Sequence, residues 1–234
     1  MAKIAIMQPY IFPYIGYFQL IGAVDKFVFY NDVNFIKKGW IHRNRILLNG
    51  HDFLFTIPCS EVSQNKRICD TKLGFDVKER IKLVQTISIA YKKAPFFEEV
   101  FPIVERVLLG EYVFIDEMAI QSVKEVSAFL KLNTMFEESK GRYGNEELKK
   151  ADRLIDICLK EKITSYVNPS GGQEIYTVKY FKDLSIDLEF LKSLPLQYTQ
   201  YENDFVPWLS ILDVLMFNDR ERISGYLHNF ELVK

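Results

Sequence analysis

The chain has 234 residues, of which 48% are apolar, with 30 basic and 31 acidic side chains for a net charge of −1. That length suits one α/β domain, residues 1–234, whose apolar share fills a core without help from disulfides or metal. The balanced charge argues against a nucleic-acid track and against a strongly electrostatic membrane-surface protein, so any charged site is local.

The three cysteines, Cys59, Cys69 and Cys158, show no CxxC spacing, which fits a reducing compartment and a packing role. Lys3 precedes only four apolar residues before Gln8-Pro9, too few for a signal-peptide core, so a cytoplasmic location is expected. The longest apolar stretch, Ile11–Val24, is broken by Pro13 and carries Gln19; a membrane span needs about 20 apolar residues, so no membrane insertion is expected.

In chain order, Lys3–Met7 reads as a buried strand, Gly16–Val24 as a helix and Phe27–Tyr30 as a second strand. Together they have the length of a βαβ unit with parallel strands, the start of a core over residues 1–60 to which Phe53–Ile57 adds a strand. From Asp76 the period becomes helical: Ile81, Val84, Ile87 and Tyr91 share a face, Ala94-Pro95 interrupts, a second helix ends near Gly110, and a third spans Asp116–Leu132. Met135-Phe136 forms a short strand, and Asn145 caps a helix carrying Leu148, Ala151, Leu154, Ile155, Cys158 and Leu159. Thr164–Val167 and Ile186–Leu191 read as strands, and Trp208–Phe217 as an apolar helix. The fold class is therefore α/β: a Rossmann-like, mostly parallel sheet with flanking helices and additional helices in the middle and C-terminal parts.

Four constellations could carry chemistry. The first is Gln8-Pro9-Tyr10 through Tyr14, Gly16 and Tyr17, between the first strand and a helix N-terminus. In open α/β sheets ligands bind there, the tyrosines add stacking faces, and Gly16 permits close backbone approach. The second follows the second strand: Asp32, then Lys37, Lys38, Trp40, His42, Arg43, Asn44 and Arg45, with no acid between Val33 and His51. Such a basic, aromatic-interleaved run suits the phosphates and base of a nucleotide or pantetheine ligand; it reads equally as a solvated basic hairpin with Gly39 in the turn. Asp32 could pair with Arg45 or Arg43 or act as a base, and His42, its pKa lowered by the neighbouring cations, is the histidine to test as one. The third is the turn Ser170-Gly171-Gly172 after a strand, able to close over a phosphate or sugar. The fourth is Tyr198-Thr199-Gln200, followed by Trp208-Leu209-Ser210-Ile211-Leu212-Asp213: Tyr198 and Gln200 could reach the pocket rim, and Asp213 stands within an apolar helix as a buried cap, an ion-pair partner or a functional group. No metal-ligand spacing, GxSxG elbow or Walker loop is present, so no metal is expected.

The stretch MQPYIFPYIGYFQLIGAVDKFVFYNDVNFIKKGWIHRNRIL, with FTIP, YKKAP, YVNPSGG and Tyr198-x-Gln200 followed by LSILDVL, resembles the WbqC-like family of bacterial proteins over nearly the whole chain. His42 departs from the pattern, which carries Asn there. The resemblance implies a setting in O-antigen and other surface-polysaccharide biosynthesis, and a transferase of acyl or aminoacyl (glycyl-type) groups onto the amine of a nucleotide-linked amino sugar. In that reading Arg43, Arg45 and Lys38 hold phosphates, Trp40 and Tyr14 stack, Gln8 and Asn44 meet sugar hydroxyls, and Asp32 or His42 removes a proton. The acyl donor is open: a CoA or carrier thioester, or an activated amino acid. Tyr14-Ile15-Gly16-Tyr17 is also similar in placement to the HxGH signature of nucleotidylyltransferases, with tyrosine for both histidines, which implies an adenylate-forming alternative; the other alternative is a non-catalytic nucleotide-sugar-binding subunit. The aromatic surplus, 19 Phe and 13 Tyr, leaves room for a homodimer.

Overall fold

In the computed structural model, residues 2–63, 65–202 and 204–234 are described. Six strands form one sheet, β1 (Lys3–Met7), β2 (Lys26–Phe29), β5 (Met135–Glu138), β6 (Ser165–Pro169), β7 (Asp187–Ser193) and β8 (Phe230–Val233), in the order β5-β2-β1-β6-β7-β8. Every pairing is parallel except β7 with β8.

The central strands are buried on both faces, as parallel strands must be when crossovers place helices on either side. Successive side chains alternate: Ile4, Ile6 and Val28 enter one apolar cluster, Ala5, Phe27 and Phe29 the other. The first cluster is covered by α5 (Lys150–Lys160) and α6 (Val178–Asp183). The second is covered by α1 (Ile15–Gly22), by α2 (Val77–Tyr91), α3 (Phe97–Leu109) and α4 (Ile115–Phe129), and by α7 (Ile211–Phe217) and α8 (Arg220–Leu227). Local chemistry sets several boundaries. Asp76 and Glu79 form a reciprocal capping box on α2, and the Ser210 and Asp219 side chains accept from the first turns of α7 and α8.

The structure departs from the sequence reading in four places. Phe53–Ile57 does not extend the main sheet; β4 (His51–Thr56) pairs antiparallel with β3 (Arg43–Leu48) in a separate hairpin, turned at Asn49 and Gly50, both at positive φ. The basic segment is thus partly a strand, with Arg45 paired across the hairpin to Asp52. Helix α5 begins at Lys150 rather than at Asn145, whose side chain is buried and bonds Asp156 and Arg153 instead of capping. The apolar C-terminal helix begins at Ile211, because Trp208 sits at φ +59° and Ser210 is the cap. Finally, Asp32 pairs with neither Arg45 nor Arg43: its carboxylate accepts from Arg153 at 2.7 Å and from the Ser139 hydroxyl at 2.5 Å, all buried.

The strand order reverses direction between β1 and β6, so the loops leaving their carboxyl ends diverge and open a crevice between them. Among the described residues no helix is long and apolar enough to cross a membrane.

Candidate functional site

The loop after β1 is held in an unusual conformation. Phe12, fully buried, lies at φ +41°, in the left-handed region that bulky residues avoid. Its surroundings impose that geometry: Asn44 Nδ2 donates to the Ile11 and Phe12 carbonyls at 3.0 and 2.6 Å, and the Ser210 hydroxyl donates to the Phe12 carbonyl at 2.7 Å. The Phe12 N–H donates to Ser122 Oγ at 3.0 Å and the Ile211 N–H to the Pro13 carbonyl at 2.9 Å. Strain persists only where neighbours over-determine it, and it concentrates at functional sites. Asn44→Ala should therefore lower stability by about 2 kcal/mol, roughly 4–8 °C in Tm for a chain of this length; a melting curve within 1 °C of wild type would show that the loop does not need the clamp.

Over this loop lies a cavity of about 350 Å³, lined by Tyr10, Pro13 and Tyr14 after β1, Trp40, Asn44 and Arg45 of the hairpin, Ser170 after β6, Ser193 at the end of β7, and Trp208. Its place at the carboxyl ends of β1, β6 and β7 is where doubly wound sheets bind ligands. Trp40 and Trp208 are 42% and 53% exposed, an outlay of large aromatic surface that binding sites use. Tyr14 and Trp208 meet edge to face at 6.2 Å, and Arg43 and Arg45 both lie over Trp40, at 5.4 and 5.7 Å. Among the described residues Arg45 is the one cation lining the cavity. Its guanidinium reaches Asp52 and the Trp208 carbonyl, and its buried Nε has no partner among the described residues. Burial, then the neighbouring Tyr14, raises the Tyr10 phenol to about 12, so at neutral pH it is a hydrogen-bond donor and not a base.

The structure thus gathers Tyr10, Tyr14, Trp40, Asn44, Arg45 and Ser170 in one place. Gln8, Gly171 and Gly172 line a second cavity, of about 300 Å³, which shares Tyr10 as a wall with the first. The remaining residues singled out from the sequence lie elsewhere. Gly16 does allow a close approach, but to Tyr14 and Ser193: a Cβ there would fall 2.3 Å from the Tyr14 ring and 2.5 Å from Ser193 Oγ. Tyr17 is sealed in the core, its hydroxyl donating to the Gln8 carbonyl. Lys38 is exposed at φ +62°, and Arg43 ties that loop by donating to the Gly39 and Lys38 carbonyls. His42 packs on Phe35, with ring centroids 5.0 Å apart and Nδ1 buried without a partner among the described residues; burial, then Arg43, lowers its pKa, so it is neutral at neutral pH. Tyr198 and Gln200 both donate to Asp213.

One lining residue, Ser193, was not among the candidates from sequence, whereas Trp208 stood in the fourth constellation. Nothing local marks Ser193, which the strand order delivers to the crevice at the end of β7, paired with Phe230 of β8; Trp208 carried a signal, a tryptophan next to Pro207 ahead of a capped apolar helix. Among the described residues no three His, Cys, Asp or Glu side chains gather to hold a metal ion. The free cysteines are inert at neutral pH, burial raising Cys59 and Cys158 to about 12 and Cys69 to about 11.

No solved structure matches the chain. An uncharacterized protein of Mycobacterium tuberculosis is 27% identical over 233 residues, covering 97% of this chain and 98% of that relative. The model of the WbqC-like protein family matches residues 8–224, from the loop after β1 to within α8 and so across both cavities, and the chain belongs to that family.

Proposed function

We propose that this protein binds a nucleotide-linked amino sugar in the first cavity and serves acyl or aminoacyl (glycyl-type) transfer to the sugar amine in the synthesis of a bacterial surface polysaccharide such as O-antigen. The observation that carries the reading is the cavity of about 350 Å³ at the reversal of strand order, walled by Tyr10, Tyr14, Trp40 and Trp208 around Arg45. Flat aromatic faces suit a base or sugar ring, a guanidinium suits a phosphate, and the Ser170 and Ser193 hydroxyls suit sugar hydroxyls. The family resemblance supports the polysaccharide setting.

In such a transfer the amine nitrogen attacks an activated acyl carbonyl, a C–N bond forms, and the bond to the leaving group breaks. Neither Asp32 nor His42 lines the cavity, and Tyr10 holds its proton at neutral pH. The amine proton therefore goes to the leaving group or to solvent, and the protein contributes by positioning. The same arrangement favours a second reading, a nucleotide-sugar-binding subunit whose catalytic base comes from a partner. No observation favours adenylate formation, since Tyr17, at the second histidine position of the HxGH pattern, is sealed from any phosphate.

Thermal unfolding against UDP-, dTDP- and GDP-linked amino sugars tests the reading. A true ligand at a hundred times its dissociation constant stabilises by about 2.7 kcal/mol, roughly 5–11 °C here. Arg45→Ala should weaken that ligand about 10- to 100-fold, and unchanged affinity would refute the phosphate role of Arg45. Transfer by the pure protein from an added donor favours the enzyme; binding without turnover favours the subunit.

A further inference from the structure

The second cavity, across Tyr10 from the first, has a chemistry of its own. Among the described residues no charged side chain lines it. Behind its wall, the Arg153 guanidinium lies 4.8 Å from the centre of the Tyr30 ring and is already committed to Asp32 and Asn145. What faces the space instead is amide and apolar surface. Gln8 follows β1 and its side chain makes no hydrogen bond among the described residues, leaving both a donor and an acceptor open. The Asn168 amide donates to the Tyr166 hydroxyl at 2.7 Å, and its oxygen, with no hydrogen bond among the described residues, lies beside Gly172, where a Cβ would stand 2.6 Å from it. Leu154 and Ile175 supply apolar walls. Open amides among apolar walls, without charge, match a neutral chain in which amide groups alternate with short methylene linkers.

We propose that this second cavity is the acyl-donor site and that it takes the neutral, amide-bearing pantetheine arm of a carrier or CoA thioester, with Tyr10 as the wall shared with the acceptor site. The inference rests on the proposed function for its acceptor, and it narrows the donor. A glycyl or other aminoacyl donor brings an α-ammonium, for which the cavity has no lining carboxylate. In the step so assembled, the sugar amine attacks the thioester carbonyl, the C–N bond forms as the C–S bond breaks, the electron pair leaves on sulfur, and the amine proton ends on the thiol.

Calorimetric titration with S-acetylpantetheine and, separately, with the nucleotide-linked amino sugar chosen by the thermal screen tests this. Gly171 is the lever, because it lines the cavity, a Cβ built there meets nothing within 4 Å and its φ is an ordinary one; Gly171→Phe should crowd the cavity without straining the backbone. Wild type should bind S-acetylpantetheine, Gly171→Phe should weaken it by about tenfold or more, and nucleotide-sugar affinity should stay within about twofold. Gln8→Leu, which removes the open amide at similar volume, should weaken S-acetylpantetheine by about three- to tenfold and serves should Gly171→Phe fail to fold. If wild type binds the nucleotide sugar but not S-acetylpantetheine, the donor site is refuted and the first-cavity reading stands. If Gly171→Phe weakens both ligands alike, the second cavity holds part of the sugar and the donor assignment is wrong. If S-acetylpantetheine binds in a Gly171-sensitive way while no nucleotide sugar binds, the acceptor reading falls and the thioester site survives.

Discussion

Replacing Arg153 with methionine is expected to destabilise the protein by about 3–5 kcal/mol, roughly 6–20 °C in Tm. Arg153 and Asp32 are almost wholly buried, their side chains 4% and 1% exposed, and lie 2.7 Å apart. Arg153→Met keeps most of the side-chain volume but leaves the Asp32 carboxylate in the interior with only the Ser139 hydroxyl to answer it. The partner-loss cost comes mainly from that uncompensated charge and not from the net worth of the pair. The double variant Arg153→Met with Asp32→Leu should therefore recover much of the loss, and a double-mutant cycle on thermal or urea unfolding would measure it. If the double variant is as unstable as the sum of the singles, the two groups are not coupled as the geometry implies. The pair also bears on the second cavity, because the Arg153 guanidinium supports the Tyr30 ring that forms part of its wall.

The residues explain why some of this was legible and some was not. Lys3–Met7, the helix after it and Lys26–Phe29 announce themselves because a buried parallel strand is a short apolar run and a crossover helix changes the period. The β3–β4 hairpin is ambiguous because RNRILL opens on charges and four consecutive residues at the start of β4 are exposed, so neither strand shows the pattern of a sheet interior. Helix α8, RERISGYL, is mostly polar and β8 is four residues at the edge, too short for a period to form. In the first cavity, Tyr10, Tyr14, Trp40, Asn44 and Arg45 were readable because they lie within two short stretches at strand ends. Ser193 was not, since it stands at the last position of β7, paired with Phe230 of β8, and only the strand order brings it there. Tyr198 lines a neighbouring cavity that shares Tyr14 and Trp208 with the first, and it and Gln200 are held by a group whose role only tertiary structure reveals.

That group is Asp213, fully buried in the first turn of α7, and Asp213→Ala is expected to cost about 4 kcal/mol. Its carboxylate accepts from Tyr91 at 2.9 Å, Tyr198 at 2.7 Å and Gln200 at 2.5 Å, and among the described residues no lysine or arginine pairs with it. Truncation would take the acceptor from three donors at once, of which Gln200 keeps the Val206 carbonyl. Burial raises the Asp213 pKa, only partly opposed by those three hydrogen bonds. The sign of the pH effect follows: the native state holds this proton more tightly than the unfolded chain, so the contribution to stability falls as pH rises from the ordinary carboxylate value through the raised one, and is constant above it. Asp213→Asn, neutral and still able to accept, should cost less than Asp213→Ala and should remove that decline from a stability-against-pH curve; a curve as steep as wild type would locate the titration elsewhere. The consequence reaches the first cavity through the chain itself. Gln200 also bonds the Val206 N–H and carbonyl, so Asp213 anchors the segment that ends on Trp208, Leu209 and the Ser210 cap. Releasing that anchor should free the Trp208 wall, and Asp213→Ala should show weaker nucleotide-sugar binding and stronger acrylamide quenching of tryptophan fluorescence even at temperatures where the fold is intact.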